Sequence, residues 1–266
     1  MRRNCSRLDG QSNNSSNTGG IKVSTNTIIG TISPENEKAC HKIVDLMKVP
    51  PINLVIYLDD FDSDHYSLVK SKGLYRNVRQ LGWKTFEEHE LTRISEFQVV
   101  DHLIWISSDV VLGECIDFAW TLCHELQHLH LSLLDHRIPV ISNFIDEAWA
   151  KNPALNERHL PLPDEFNCDY IAHQVVSKIF EKAAVKEYIQ SWNKDFITEA
   201  KRLGSIFSGN VRNDLIQILQ SDWQLYLALK PIISAENEGF NFDLEGFVRN
   251  EIVSKTSSLD EGDYLV

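Results

Sequence analysis

The chain has 266 residues, enough for one large or two small domains with a buried core, and a net charge of −12. This charge argues against a nucleic-acid or anionic-membrane surface, and no stretch approaches the ~18 uninterrupted apolar residues of a membrane span. The N-terminus also lacks the apolar core of a secretory signal, so we expect a soluble protein. The acidic charge favours a protein partner or a peptide substrate.

The first quarter of the chain contains few predicted elements. Residues 1–20 end in a polar run, which we expect to be a disordered tail. A serine followed by a proline and an acidic residue predicts a helix over residues 34–48. Residues 54–58 have the apolar pattern of a buried strand. The aspartates at 59–64 lack the glycine and glutamate of a calcium loop, which favours a solvated acidic turn.

The middle of the chain gives the clearest signals. Residues 65–97 are mixed, with a short helix and a strand expected around Trp83 in an order that the pattern does not fix. Residues 97–107 are apolar and β-branched, which predicts a strand. Apolar residues then recur at helical spacing from about residue 111 to residue 134. Beyond about residue 182 the pattern is helical and closes in an acidic tail.

The predicted helix at 111–134 carries the pattern His-Glu-x-x-His at His124, Glu125 and His128. Two histidines one turn apart lie on one helical face, so both imidazoles can converge on one metal ion. Glu125 lies beside them, where its carboxylate can take a proton from a metal-bound water. Three fixed residues recur by chance in roughly one chain in a hundred, but the placement in a helix after a strand makes the pattern informative.

A zinc site with two histidines needs a third protein ligand, and two glutamates compete for this role. Glu165 follows His128 after thirty-six residues, and Asp169 stands one helical turn later, where it could accept the free ring N–H of a liganding histidine. Glu147 follows after eighteen residues and has Lys151 one turn later, a cation that would face the metal. This comparison favours Glu165 and leaves Glu147 as the alternative.

Residues 104–107, 118–128 and 165–172 together resemble a gluzincin-type zinc peptidase, and most closely the ImmA/IrrE-like metallopeptidases. In that family a strand precedes the motif-bearing helix, and a later helix brings the glutamate in a pattern of the form E-x-x-A-[ND]-x-x-A. Cys168, Asp169 and Ala172 stand at the corresponding positions here. The resemblance covers about residues 95–180.

The chain departs from the family pattern at two places. Gln127 stands where these enzymes usually have glycine, and the segment at 135–163 is longer than expected. That segment contains Phe-Ile-Asp-Glu-Ala-Trp-Ala, which resembles the glutamate-bearing segment of a group of zinc aminopeptidases. It could also act as a lid over the site.

The resemblance implies a role for each matching residue. His124, His128 and Glu165 would hold Zn²⁺, while Glu125 would deprotonate the bound water and later protonate the leaving amine. The strand at 103–107 would be a sheet edge that binds an extended peptide. A further group should stabilise the oxyanion, and four residues are candidates. The helical angle predicts that one of them, His130, points away from the metal to the surface. These candidates are Tyr170, His173, His159 and His130.

The predicted fold is α+β, with a zincin-like catalytic domain at 21–181 and a helical C-terminal subdomain at 182–266. The domain would combine a small, edge-exposed sheet with the motif-bearing helix. We expect a zinc-dependent peptidase that cleaves a specific regulatory protein. Five cysteines without Cys-x-x-Cys pairs suit a reducing, cytoplasmic location. The alternatives are a non-catalytic zincin-fold binding or regulatory module, and an aminopeptidase-like hydrolase that uses Glu147.

Overall fold

The computed structural model describes residues 26–30, 32–58, 72–77, 101–151 and 161–221. Several predicted features lie outside these ranges, namely the N-terminal tail, the acidic turn at 59–64, the surroundings of Trp83 and the acidic C-terminal tail.

The described strands form one mixed four-stranded sheet. In chain order they are β1 (Asn26–Gly30), β2 (Leu54–Leu58), β3 (Gly73–Asn77) and β4 (His102–Ile106), and their order in the sheet is β1-β2-β4-β3. β2 pairs in parallel with β1 and with β4, whereas β3 is antiparallel to β4. The strand predicted at 54–58 is therefore confirmed.

The position of β4 corrects a prediction. We expected the strand at 103–107 to be an edge, but β4 pairs with β2 on one side and with β3 on the other. All five of its residues are buried, which explains why its sequence is so strongly apolar. Among the described strands, the outer one beside β4 is β3.

Eight helices are described: α1 (Pro34–Met47), α2 (Ser108–Leu112), α3 (Cys115–Leu134), α4 (Ile138–Lys151), α5 (Pro163–Ile179), α6 (Lys182–Trp192), α7 (Phe196–Ile206) and α8 (Val211–Ser221). α1 is confirmed, with the Ser33 hydroxyl capping the Asn36 N–H. The single helix predicted at 111–134 is wrong at its start. Extended backbone at Gly113 and Glu114 ends α2 and allows α3 to begin again.

The core is built around α3. Its buried side chains, among them Phe118, Leu122 and Leu126, face the sheet, α1 and α5. The C-terminal helices contribute Val185 and Phe196 to this same core. A second apolar cluster joins α4, α5 and α8. The described part is thus mostly helical with a small sheet, an α+β arrangement, and none of its helices is long and apolar enough to cross a membrane.

Candidate metal centre

The two histidines of the motif converge with the carboxylate of Glu165. His124 and His128 lie one turn apart on α3, and their Nε2 atoms are 3.1 Å from each other. Glu165, in the first turn of α5, places one carboxylate oxygen 3.1 Å from His124 Nε2 and the other 3.3 Å from His128 Nε2. These contacts exist because α5 packs along α3 more extensively than any other described pair of elements.

The chemistry and spacing of these donors fit zinc. Two imidazole nitrogens and one carboxylate are a common catalytic zinc set that leaves a fourth position for water or substrate. Tetrahedral Zn²⁺ with ligand bonds of ~2.0–2.1 Å has donor–donor edges of about 3.3 Å. The observed separations of 3.1, 3.1 and 3.3 Å therefore match a site that needs little rearrangement to take the ion.

Asp169 holds one of the histidines in place from behind. Its Oδ1 lies 3.0 Å from His124 Nδ1, so it accepts the ring N–H that leaves Nε2 free to bind a metal. The same oxygen accepts a hydrogen bond of 3.1 Å from the Trp120 indole N–H. The carboxylate is therefore fixed from two sides, and the orientation of His124 is fixed with it.

The two histidines and Glu165 shift one another's pKa values. Burial lowers the pKa of His124, but hydrogen bonds to Asp169 and Glu165 outweigh it and raise that pKa well above its ordinary value. The pKa of His128 is likewise raised, since Glu165 outweighs the effect of burial. Burial raises the pKa of Glu165, yet the two histidines hold it well below the usual range. The charged forms of the two histidines and of Glu165 thus stabilise one another.

Glu125 lies against the outer strand of the sheet. Its side chain is 7% exposed, and its carboxylate accepts a hydrogen bond from the backbone N–H of Tyr75 in β3. Burial raises its pKa above the ordinary value, as suits a base that works near neutral pH. A Cβ on Gly73 would lie 2.9 Å from Glu125 Oε1 and 2.8 Å from Thr121 Cγ2. Glycine at this position is what allows β3 to lie so close to the helix.

A cleft of about 640 Å³ opens over the cluster. β3 forms one wall, with Lys72 at its start and Asn77 at its end. α4 forms another wall, which corresponds to part of the long segment noted in the sequence. Trp120, Tyr188 and Trp192 line a third side. The donors are therefore open to a substrate rather than sealed in the core.

The other candidate residues from the sequence lie away from this cleft or outside the residues that the structure describes. Glu147 is on α4, but its side chain lies outside the described residues, as does all of His159. Tyr170 and His173 line a second cavity instead. The prediction that His130 is a surface residue is wrong. It is half-buried, its Nε2 is fully buried without a hydrogen-bond partner among the described residues, and burial lowers its pKa.

The sequence did not indicate several residues of the cleft, among them Asp146, Asp164, Tyr188 and Lys72. Asp164 precedes Glu165 and is 3% exposed, while Asp146 is one helical turn after Ser142. An acidic residue beside the third ligand was a visible signal for Asp164. The others are brought together from separate elements, and the sequence held no local signal for them.

Cys168 lies close beneath the centre. Its sulfur and one ring nitrogen each of His124 and His128 lie within 4.8 Å of one another. The residue is fully buried, and burial raises the pKa of its thiol well above the ordinary value. A neutral buried thiol behaves as a small apolar group, so Cys168 packs beneath the donors.

Comparison with known proteins gives no family for this chain. No protein-family model matches it, no curated protein is similar to it, and no solved structure matches it.

Proposed function

We propose that this protein is a zinc-dependent peptidase with a zincin-like fold, of the gluzincin type and close to the ImmA/IrrE-like metallopeptidases. The observation that carries the proposal is the convergence of His124, His128 and Glu165 at 3.1–3.3 Å, with buried Glu125 beside them at the floor of an open cleft. A structural metal site needs no such base, which is why the hydrolase is favoured over a non-catalytic zincin-fold module.

The residues of the chain divide the chemistry between them. His124, His128 and Glu165 would hold Zn²⁺, which when bound lowers the pKa of water and polarises a carbonyl group. Glu125 accepts a proton from the attacking water at its carboxylate and delivers it to the nitrogen of the leaving amine. Asp169 accepts the proton at Nδ1 of His124 and so directs Nε2 at the centre.

The outer edge of β3 is the proposed docking site for an extended substrate. Within the described sheet, β3 pairs only with β4, so its other edge is the side on which we expect a peptide to pair. The Tyr75 N–H bonds to Glu125, which sets the strand and the base at a fixed separation. A peptide on this edge would therefore lie across the metal cluster. We propose a specific regulatory protein as the natural substrate, as the family resemblance implies.

Elemental analysis of the purified full-length protein tests the proposal. We expect close to one zinc per chain, lost in His128→Ala and in Glu165→Gln. Glu147→Gln is the matched control, because it makes the same change at the alternative third ligand and should keep the zinc. A zinc-loaded sample should then cleave a mixed peptide library, with the products identified by mass spectrometry.

Two outcomes would change the assignment. Loss of zinc in Glu147→Gln, with zinc kept in Glu165→Gln, would move the third ligand and favour an aminopeptidase-like site. A wild-type protein that holds no zinc after incubation with the ion would refute the hydrolase proposal.

We also propose a cytoplasmic location, which is supported by the four free cysteines among the described residues.

A further inference from the structure

The cleft contains more carboxylates than the metal chemistry uses. Five of them line it, namely Glu125, Asp146, Asp164, Glu165 and Asp169. A bound Zn²⁺ would be neutralised by the negative charges of Glu125 and Glu165, and Asp169 is paired with the His124 ring. Asp146 lies outside this set, and Asp164 adjoins it, with a carboxylate oxygen within 4.8 Å of donor atoms of His128 and Glu165.

No lysine or arginine of the described cleft forms an ion pair with these two acids. Lys72 lines the cleft, but its Nζ lies 2.7 Å from Asp117, with which it forms an ion pair. No ion pair of Asp146 or Asp164 with a lysine or arginine is found within the described ranges. The α4 side of the cleft thus presents two carboxyl groups that pair with no lysine or arginine of the described residues.

Asp164 is buried with part of its hydrogen-bonding capacity unused. It is 3% exposed, and it accepts a hydrogen bond from the Ser142 side chain. Its Oδ1 is buried and has no hydrogen-bond partner in the part of the chain that the structure describes. A buried carboxylate oxygen without a partner is costly, and a donor supplied by a ligand would relieve this cost.

Asp146 stands at the exposed end of the same wall. It is one helical turn after Ser142 on α4, so its carboxylate and that of Asp164 belong to one side of the cleft. Asp146 is exposed, so a side chain that enters from solvent meets it before it reaches Asp164. A long cationic side chain has the length and the donors to contact both groups.

We propose that this wall is a subsite for a lysine or arginine side chain of the peptide substrate, with Asp146 as the specificity-determining residue and Asp164 as the deeper acceptor. The inference rests on the proposed function, since it names the class of peptide that the site accepts. The net charge of −12 acts in the same direction, because it attracts cationic peptides over distance.

The test measures binding rather than cleavage. Zinc-loaded full-length Glu125→Gln protein is titrated by calorimetry with three capped peptides that are identical except for a central lysine, glutamine or glutamate. We expect the lysine peptide to bind about 10-fold more tightly than the glutamine peptide, the value of one charge-assisted hydrogen bond. The glutamate peptide should bind more weakly than both.

Substitution of Asp146 then assigns the preference. In Glu125→Gln/Asp146→Asn the advantage of lysine over glutamine should fall to about 2-fold, and Glu125→Gln/Asp146→Lys should favour the glutamate peptide. Asp45→Asn is the matched control, because it removes the same charge from an exposed position of α1 outside the cleft. Equal affinity for the three peptides, no binding of any of them, or a preference that survives Asp146→Asn would overturn the proposal.

The two proposals can fail separately. Selective binding of the lysine peptide together with no cleavage by zinc-loaded wild-type protein would keep the cationic subsite and reject the peptidase. Cleavage without a preference for cationic residues would do the reverse.

Discussion

Two cavities in the described part of the chain have almost equal volumes, about 640 Å³ over the metal cluster and about 630 Å³ between α5, α7 and the start of α8. They differ in what their polar groups do. In the first, two imidazoles and a carboxylate lie within 3.3 Å of one another, and Asp164 Oδ1 has no partner among the described residues. In the second, aromatic and aliphatic side chains dominate, and Asp214 accepts a hydrogen bond of 2.9 Å from the Ser208 N–H.

The comparison shows that volume does not identify the functional site. In the second cavity, the buried Asp214 is satisfied within the chain. At the metal cluster, charged groups are instead held close together, and Asp164 Oδ1 has no hydrogen-bond partner among the described residues. Such clusters are common in catalytic and binding sites. The predictions below follow the difference between these two cavities.

The largest effect is expected from Glu125→Gln. This change keeps the shape of the side chain but removes the base, so kcat/KM for peptide cleavage should fall by about 10³-fold or more while the zinc content stays the same. Lys201→Gln, at an exposed residue of the second cavity, is the control and should leave the rate unchanged. Comparable losses in the two variants would mean that the second cavity also takes part in the reaction.

Asp169→Asn should weaken zinc binding without removing a ligand. The carboxylate accepts the Nδ1 proton of His124, and loss of such a partner typically costs about 10–100-fold in metal affinity. Competition with a chromophoric chelator measures the dissociation constant. An affinity equal to that of the wild type would show that the ring is oriented by other contacts.

A pair of glycines tests the packing of the two cavities. Gly73→Ala should destabilise the protein by about 1–3 kcal/mol, because the new Cβ would lie 2.8 Å from Thr121 Cγ2. Gly204 lies in α7 beside the second cavity, and a Cβ there would have no atom within 4 Å. Gly204→Ala should therefore stabilise the protein by about 0.5–1 kcal/mol. Denaturant unfolding measures both values. Equal shifts of the same sign would contradict the tight contact between β3 and α3.

The smallest effect is expected at Asp135, whose carboxylate pairs with Arg137 at 2.7 Å and with Arg212 of α8 at 3.0 Å. Burial raises its pKa, but these partners outweigh burial and hold the pKa below the ordinary value of 3.8. The unfolded chain therefore takes up the proton first, so the contribution is present above about pH 4 and is lost as the pH falls through the lower, folded-state pKa.

Asp135→Asn should accordingly lower the free energy of unfolding by about 1 kcal/mol at neutral pH and flatten the loss of stability in acid. Thermal unfolding between neutral and acidic pH measures both, and peptide cleavage should be unaffected. A stability curve parallel to that of the wild type would show that the ion pair contributes nothing.

The sequence predicted those features that depend on neighbouring residues. The serine and proline that open α1 act within one turn, and two histidines four residues apart must share a helical face. The Glu165 position could be favoured because Asp169 stands on the same face of the same helix. Each of these inferences uses spacing within one element.

The features that were missed depend on how distant elements meet. The sequences of β3 and β4 do not show which of the two strands lies at the edge of the sheet. The strand order decides this, and it is set by packing between distant segments. The five residues of β3 are too short and too mixed to stand out, yet their contact with α3 positions Glu125. Asp146 and Asp164 share a cleft because α4 and α5 are adjacent in space.

The hydrogen bond from Trp120 to Asp169 has a practical consequence. The indole is one step from His124 through a shared carboxylate oxygen, and it also contacts the Trp192 ring at a centroid separation of 5.6 Å. The arrival of a divalent ion at His124 should change the field at this indole and hence the intensity or wavelength of its fluorescence. The protein therefore carries its own optical reporter of metal occupancy, which a Trp120→Phe variant would silence.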